Sequence, residues 1–184
     1  MTPGAGADRD QSALVAIDTK LADRGVPVDR MDFPYRKAGR NSPDKPAVLI
    51  AAVVEGAAAL AARTGLAPQR IVLGGRSMGG RMCSMAVADR AVPGALGLAL
   101  VSYPLHPPGH PEKARTEHLP RIEVPCLFVS GTRDAFGTPA ELEAATAHVA
   151  GPVTHVWIDG GDHGLRRRDA EVADAVADWV LSLG

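Results

Sequence analysis

Residues 70–81 read RIVLGGRSMGGR, and this stretch decides the fold class. Its first half, RIVLGG (70–75), is a short apolar run typical of a buried strand, and small residues favouring a helix follow the serine. The pentapeptide Gly75–Gly79 matches G-x-S-x-G, in which a sharp turn between a strand and a helix exposes a serine, here Ser77. Side chains in place of the glycines would collide with the neighbouring strand and helix. A glycine-rich turn without any chemistry is the alternative, because short motifs recur by chance.

The rest of the chain alternates between strand-like and helix-like segments. Apolar strands that alternate with helices indicate a parallel sheet covered by helices on both faces, which is an α/β three-layer sandwich. The 184 residues fit one domain, spanning 1–184. Strands are predicted over 26–33, 70–75, 95–103, 124–131 and 152–159; helices are predicted over 10–24, 43–63, 78–89 and 139–149, with a last helix that buries Val172, Val176, Trp179 and Leu183.

Composition narrows the classes of function. The formal net charge is −1, so no basic excess is present to hold a nucleic-acid backbone. The apolar run at 47–62 is short for a membrane span and contains Glu55, so a helix packed against the sheet is the better interpretation. The N-terminus lacks the apolar core of a signal peptide. The two cysteines, Cys83 and Cys126, lie in apolar runs, which favours buried free thiols and a cytoplasmic protein.

Two further residues complete a candidate catalytic set with Ser77. Asp134 follows a predicted strand in VSGTRDAFG, and His163 follows the last predicted strand in IDGGDHGL. A serine nucleophile needs a base, and the base needs a carboxylate to orient it. The order Ser, Asp, His at the carboxyl ends of strands is typical of the α/β-hydrolase triad. Taken alone, Asp134 could cap the following helix and His163 could be an ordinary loop residue.

Other polar residues near the serine have less specific patterns. Arg76 and Arg81 flank the turn, where they could attract an anionic substrate or lock loops through carbonyls and carboxylates. His106 and His110 lie in a proline-rich loop that follows the next strand. Their spacing matches no standard zinc site, so we expect no metal and assign His106 and Tyr103, with Arg76, to the wall of a substrate pocket. A phosphate loop is excluded because no G-K-[ST] ending follows the glycines.

Several stretches together resemble the α/β-hydrolase superfamily, in particular its dienelactone-hydrolase-like proteins and most closely the KANL3/Tex30 branch. They span nearly the whole chain, and the serine turn and the YPLHPPG segment are the most specific. The matching stretches are PGAGA (3–7), FPYRKAGR (33–40), GGRSMGGR (74–81), YPLHPPGHPEKARTEHL (103–119), SGTRDAFG (130–137) and DGGDHGL (159–165).

The resemblance implies a role for each site residue. Ser77 would be the nucleophile, His163 the base and Asp134 the residue that orients it. The backbone N–H groups of Met78 and Ala5 would bind the oxyanion. Members of the dienelactone hydrolase group proper use a cysteine nucleophile, so the serine in this chain argues against carrying over their substrate.

The same resemblance predicts a strand immediately before the PGAGA loop, and only Met1 and Thr2 precede it here. We therefore expect that strand to be missing and the chain to be truncated at its N-terminus relative to the family.

The sequence as a whole predicts a serine hydrolase that cleaves an ester or thioester of a small or promiscuous acyl substrate through an acyl-enzyme. The predicted reaction requires no cofactor, and the only expected partner is the small-molecule substrate, with no nucleic acid and no membrane. The alternative is a non-catalytic module that keeps the hydrolase fold for binding or as a scaffold.

Overall fold

A computed structural model describes residues 1–184, apart from the side chain of Pro68. Four parallel strands form one sheet in the order β1-β2-β3-β4. The predicted strands at these four places are confirmed, and the predicted parallel sheet with them. The strands are β1 Val72–Arg76, β2 Gly97–Val101, β3 Cys126–Gly131 and β4 Val153–Ile158.

Helices connect and cover these strands, because parallel strands cannot be joined by a tight turn. One helix joins β1 to β2 and another joins β3 to β4, whereas β2 and β3 are joined by a long loop with two short 3-10 turns. The predicted helices are confirmed to within a few residues, and a short additional one lies in the FPYRKAGR stretch. The helices are α1 Ser12–Ala22, α2 Pro34–Lys37, α3 Pro46–Thr64, α4 Met78–Ala88, α5 Pro139–Thr146 and α6 Asp169–Ser182.

The alternation of side chains along the strands produces two hydrophobic cores, one on each face of the sheet. In β2, Leu98 and Leu100 point to the core beneath α3 and α4. Ala99 and Val101 point to the opposite core, beneath α1 and α6. The three-layer arrangement therefore follows from strands that are apolar on both sides. At the C-terminal helix, Val172 and Val176 are buried as predicted and Trp179 packs against the same core.

The apolar run predicted to be a helix against the sheet is α3. It is the one described helix whose length and hydropathy would suffice to cross a membrane, and 22% of its apolar window is buried. Its inner face places Leu49, Ala52, Val53 and Ala57 in the core. Contact with the core is therefore confined to one face of the helix.

The strand predicted at 26–33 is wrong. This segment carries no ladder of strand pairing, although the Met31 N–H donates to the Met1 carbonyl at 3.1 Å and the Asp29 carbonyl accepts from the terminal amine at 2.5 Å. A ladder needs several consecutive backbone partners, and Met1 supplies only these contacts. The apolar pattern of the segment instead serves to bury Phe33.

The position beside β1, where we expected no strand, is occupied by Thr2. This residue forms an isolated parallel bridge with Gly75. The Thr2 N–H donates to the Gly74 carbonyl at 3.0 Å, and the Thr2 carbonyl accepts from the Arg76 N–H at 3.0 Å. The bridge holds the PGAGA loop directly beside the serine turn.

Candidate active site

Ser77 lies between the end of β1 and the start of α4, in a strained backbone conformation with φ 51° and ψ −120°. Non-glycine residues rarely adopt a positive φ, and such strain is typical of functional turns. The flanking glycines are sterically required. A Cβ on Gly75 would lie 2.7 Å from the amide nitrogen of Gly80, and a Cβ on Gly79 would lie 2.7 Å from the carbonyl oxygen of Thr2. A side chain at either place would therefore force the turn or the backbone packed against it to shift.

The three residues of the predicted catalytic set lie in one hydrogen-bonded chain. Ser77 Oγ is 2.9 Å from His163 Nε2, and His163 Nδ1 is 2.8 Å from Asp134 Oδ2. Because a carboxylate only accepts, Nδ1 must carry the proton, which leaves Nε2 free to accept from the serine hydroxyl. Asp134 is 2% exposed, so its charge acts on the imidazole with little solvent screening.

Phe136 contacts both His163 and Asp134, although no sequence pattern pointed to it. Its N–H donates to Asp134 Oδ1 at 2.8 Å. Its ring stacks on the imidazole of His163, with centroids 4.0 Å apart. The residue two positions after an active-site aspartate is a plausible backbone donor, but the ring contact depends on the meeting of two loops.

Two residues of the cleft have backbone N–H groups without a partner in the described chain. Met78 is the first residue of α4, so its N–H has no partner within the helix. The Ala5 N–H makes no hydrogen bond to another residue in the described chain. Both residues line the same cleft as Ser77. N–H groups without a partner at such a position can stabilise a negatively charged oxygen.

The loop that carries Ala5 is tied down on both sides of that residue. The Gly4 N–H donates to Gln11 Oε1 at 3.1 Å, and the Gly6 N–H donates to the Tyr35 hydroxyl at 3.1 Å. Tyr35 is fully buried in the core under α3. The FPYRKAGR stretch thus contributes a hydroxyl that orients the loop, a role that local sequence patterns do not reveal.

A cleft of about 470 Å³ opens in front of the serine and reaches the surface. Arg76 lies in its wall, as expected, and its guanidinium donates to the His163 carbonyl at 2.6 Å. Burial lowers the pKa of Arg76, while the nearby carboxylates of Asp134 and Asp162 act in the opposite direction. The lining consists of Gly4, Ala5, Arg76, Ser77, Met78, Arg81, Pro104, Arg115, Phe136 and His163.

Tyr103 and His106 do not line this cleft, which corrects their predicted place in its wall. Tyr103 is 2% exposed, and its hydroxyl is 3.3 Å from Nε2 of the buried His118. His106 is 5% exposed, and its Nδ1 lies 2.9 Å from the Pro107 carbonyl. The proline-rich loop folds back over the core, so its first residues point inward. Arg115, further along the same loop, reaches the cleft instead.

The histidines of that loop also lie apart from any cluster of possible metal ligands. His110 is exposed and 3.0 Å from Glu112 Oε1, whereas His106 lies 3.5 Å from Glu141. Within the part of the chain that the structure describes, no three His, Cys, Asp or Glu side chains converge on a point where a metal ion could bind.

Solved structures of hydrolases share this architecture. An alpha-beta serine hydrolase homologue from Coxiella burnetii superposes with a TM-score of 0.76 at 16% identity, covering 97% of this chain and 84% of that chain. A dienelactone hydrolase from Anabaena variabilis gives a TM-score of 0.74 at 18% identity, covering 98% of this chain and 83% of that chain. The esterase domain of a Rhodothermus marinus protein gives a TM-score of 0.73 at 16% identity, covering 100% of this chain and 86% of that chain. At such identities, the likeness establishes the fold.

Sequence comparison adds a relative and a family. Epoxide hydrolase A of Mycobacterium tuberculosis is 36% identical over 63 residues, which are 34% of this chain and 20% of that protein. The chain thus matches only about a fifth of that relative's length. The model of the alpha/beta hydrolase domain family matches residues 1–180. With that match over almost its whole length, the chain belongs to the alpha/beta hydrolase domain family.

Proposed function

We propose that this protein is a serine hydrolase that cleaves esters or thioesters, with Ser77 as nucleophile, His163 as base and Asp134 as the residue that orients the base. The observation that carries the proposal is the unbroken hydrogen-bonded chain from Ser77 through His163 to the buried Asp134, which opens on a cleft. Membership of the alpha/beta hydrolase domain family and the fold shared with esterases are consistent with it.

The reaction would proceed in two stages. Ser77 Oγ attacks the carbonyl carbon while its proton moves to His163 Nε2, and the C–O or C–S bond breaks as Nε2 returns that proton to the leaving group. The acyl group is then held as an ester on Ser77. Water attacks this ester, giving a proton to Nε2, and the carboxylic acid leaves as Ser77 recovers its proton. Asp134 keeps Nδ1 protonated throughout.

The negatively charged oxygen formed in each stage would accept hydrogen bonds from the N–H groups of Met78 and Ala5. Both groups line the cleft, and neither has a protein partner in the described chain. The N-terminus of α4 adds a favourable dipole at Met78. Removing one such donor typically costs on the order of 100- to 1000-fold in rate.

Within the family, we place the chain in the KANL3/Tex30 branch of dienelactone-hydrolase-like proteins. The support is the pair of stretches GGRSMGGR and YPLHPPG, which resemble that branch. The proposed substrates are small or varied acyl esters, because the loop after β2 leaves the cleft open at the surface.

The first experiment is intact-mass measurement after incubation with a fluorophosphonate, which reacts only with activated serines. We expect one adduct on the wild-type protein and none on Ser77→Ala. Ser84→Ala is the matched control, since Ser84 lies in α4 but is buried away from the cleft. It should still be labelled. A well-folded wild-type protein that stays unlabelled would instead favour the non-catalytic binding module.

A further inference from the structure

The cleft contains three arginines, Arg76, Arg81 and Arg115, and no acidic side chain. Cations placed together repel one another unless anions lie between them. The chemistry proposed for Ser77 does not use these charges, so each arginine needs its own explanation.

Arg76 has a structural role. Its guanidinium donates to the His163 carbonyl at 2.6 Å and lies close enough to Asp134, Asp162 and Asp169 for their charges to stabilise its cationic form. Its position is therefore explained by the loop that carries the base.

Arg81 and Arg115 have no such explanation. Neither side chain forms an ion pair or donates a hydrogen bond within the described part of the chain, and Arg81 Nε is buried without a partner. Some exposed arginines elsewhere are paired, such as Arg63 with Asp29 at 2.8 Å and Arg121 with Asp89 at 2.8 Å. What distinguishes Arg81 is that its guanidinium is partly buried in the cleft and still has no partner among the described residues. The groups whose charge favours the cationic form of Arg81 are the phenol of buried Tyr103 and, with a smaller effect, the exposed carboxylate of Glu117, which forms no ion pair with it in the described structure.

Retaining an uncompensated cation at this position costs stability. Burial lowers the pKa of Arg81, and the positive charge of Arg115 acts in the same direction. Arg81 lies one helical turn after Ser77, and its N–H donates to the Ser77 carbonyl at 3.1 Å. Side chains of a helix lean toward its N-terminus, which directs Arg81 toward the reacting end of the cleft.

We propose that Arg81 and Arg115 form an anion subsite, and that the substrate is an ester or thioester carrying a second, ionised carboxylate or phosphate group that binds there. Guanidinium groups match both anions with paired hydrogen bonds. The cleft volume of about 470 Å³ lies within the usual range for small-molecule sites, so one molecule can reach both the subsite and Ser77. This inference rests on the proposed function, because the serine defines where the ester must lie.

The test compares esters that differ in one charge. Mono-4-nitrophenyl adipate carries a carboxylate on its acyl part, and 4-nitrophenyl hexanoate is its neutral counterpart of equal length. A second pair, 4-acetoxybenzoate and its methyl ester, places the charge on the leaving group. We expect the wild-type protein to prefer the anionic member of at least one pair. Arg81→Gln and Arg115→Gln should each lower kcat/KM for that substrate about tenfold, leaving the neutral one within about twofold.

Arg90→Gln is the matched control. Arg90 is exposed, pairs with Glu123 and lies outside the cleft. Removing its charge should therefore leave kcat/KM unchanged for both the anionic and the neutral ester. Equal losses for charged and neutral esters in the two cleft variants would overturn the subsite and indicate a structural role for the arginines. Unchanged kinetics in both variants would overturn it as well.

A binding measurement separates failure of the subsite from failure of the proposed chemistry. Calorimetric titration of Ser77→Ala with adipate, hexanoate and inorganic phosphate needs no turnover. Adipate or phosphate binding that disappears in Ser77→Ala/Arg81→Gln would support the subsite even if the wild-type protein hydrolysed no ester. The stronger of the two ligands would identify the anion. If neither adipate nor phosphate binds, but the wild-type protein hydrolyses neutral esters, the anion subsite is rejected and the proposed serine hydrolase is retained.

Discussion

The ring of Phe136 stacks on the imidazole of His163 at 4.0 Å between centroids, and the N–H of the same residue donates to Asp134. One residue thus contacts both the imidazole and the carboxylate to which its Nδ1 is bonded. The imidazole has a packed wall on one face and a hydrogen bond at Nδ1, which together leave Nε2 directed at Ser77.

Phe136→Ala should lower kcat without a matching change in KM, because the imidazole loses its packed wall while the backbone N–H remains. Aromatic stacking of this kind is worth about 0.5–1.5 kcal/mol, so we expect a fall of roughly 2- to 10-fold. Steady-state kinetics on a 4-nitrophenyl ester measures it. Phe136→Tyr keeps the ring and should retain activity; a similar loss in both variants would argue against stacking as the cause.

Asp134→Asn should abolish nearly all activity in a folded protein. An amide can donate to Nδ1, which favours the imidazole tautomer with its proton on Nε2 and prevents acceptance from Ser77. The expected loss in kcat is on the order of 10⁴-fold. Asp159→Asn is a suitable control, since Asp159 is exposed on the turn after β4, where it accepts from Thr132. Substantial activity in Asp134→Asn would contradict the proposed role.

Tyr35→Phe should lower kcat several-fold by releasing one of the two ties on the loop that carries Ala5. The hydroxyl that accepts from Gly6 is lost while the ring remains, so the core should stay packed. Thr146→Val removes another buried hydroxyl, from a residue that does not line the cleft, and should affect stability only. Kinetics and thermal denaturation on both variants separate the two effects. Equal kcat values in Tyr35→Phe and wild type would show that the tie is dispensable.

Gly79→Ala should destabilise the protein by about 2 kcal/mol or more, since its Cβ would lie 2.5 Å from the Pro3 carbonyl oxygen. Two stretches of backbone would have to separate, and fluorophosphonate labelling should fall with stability. Gly109→Ala meets no atom within 4 Å and is strained only by φ +75°, which costs about 1–2 kcal/mol. Urea denaturation measures the free energy of unfolding of both variants. A labelling loss confined to Gly79→Ala would identify the contact with the loop as the cause.

The buried His118 should make stability depend on pH. Burial, together with the charges of Arg81 and Arg121, lowers the pKa of His118 to about 4. Between pH 6.5 and 4, the His118 side chain therefore binds a proton more readily in the unfolded chain than in the folded protein. Stability consequently falls as the pH decreases through that window. This lowering of the pKa corresponds to a loss of about 3 kcal/mol in the free energy of unfolding once the pH is below the window. Urea denaturation at pH 7 and pH 4.5 should show a smaller drop for His118→Gln than for wild type; equal drops would assign the effect to other groups.

Local sequence patterns were sufficient for much of the fold. Apolar runs of strand length between helical stretches predict the parallel sheet, because strands buried on both faces carry mostly apolar side chains. The chain order also placed Ser77, Asp134 and His163 after strands that end at one edge of the sheet. Their convergence follows because parallel strands present their carboxyl ends together.

Contacts between distant segments decided which segments pair as strands and which loop residues line the cleft. The pattern at 26–33 suits a strand, but a strand also needs a neighbour with matching backbone groups. Tyr103 and His106 share a loop with Arg115, and only the path of that loop over the core determines which of them reaches the cleft.

The sequence by itself therefore determined the fold class and the residues of the hydrogen-bonded chain, since these depend on periodicity and chain order. The tertiary structure alone decided which side chains of the proline-rich loop reach the cleft: Arg115 lines it, whereas Tyr103 and His106 do not. Their positions depend on how loops far apart in sequence pack against one another, and no local pattern encodes that.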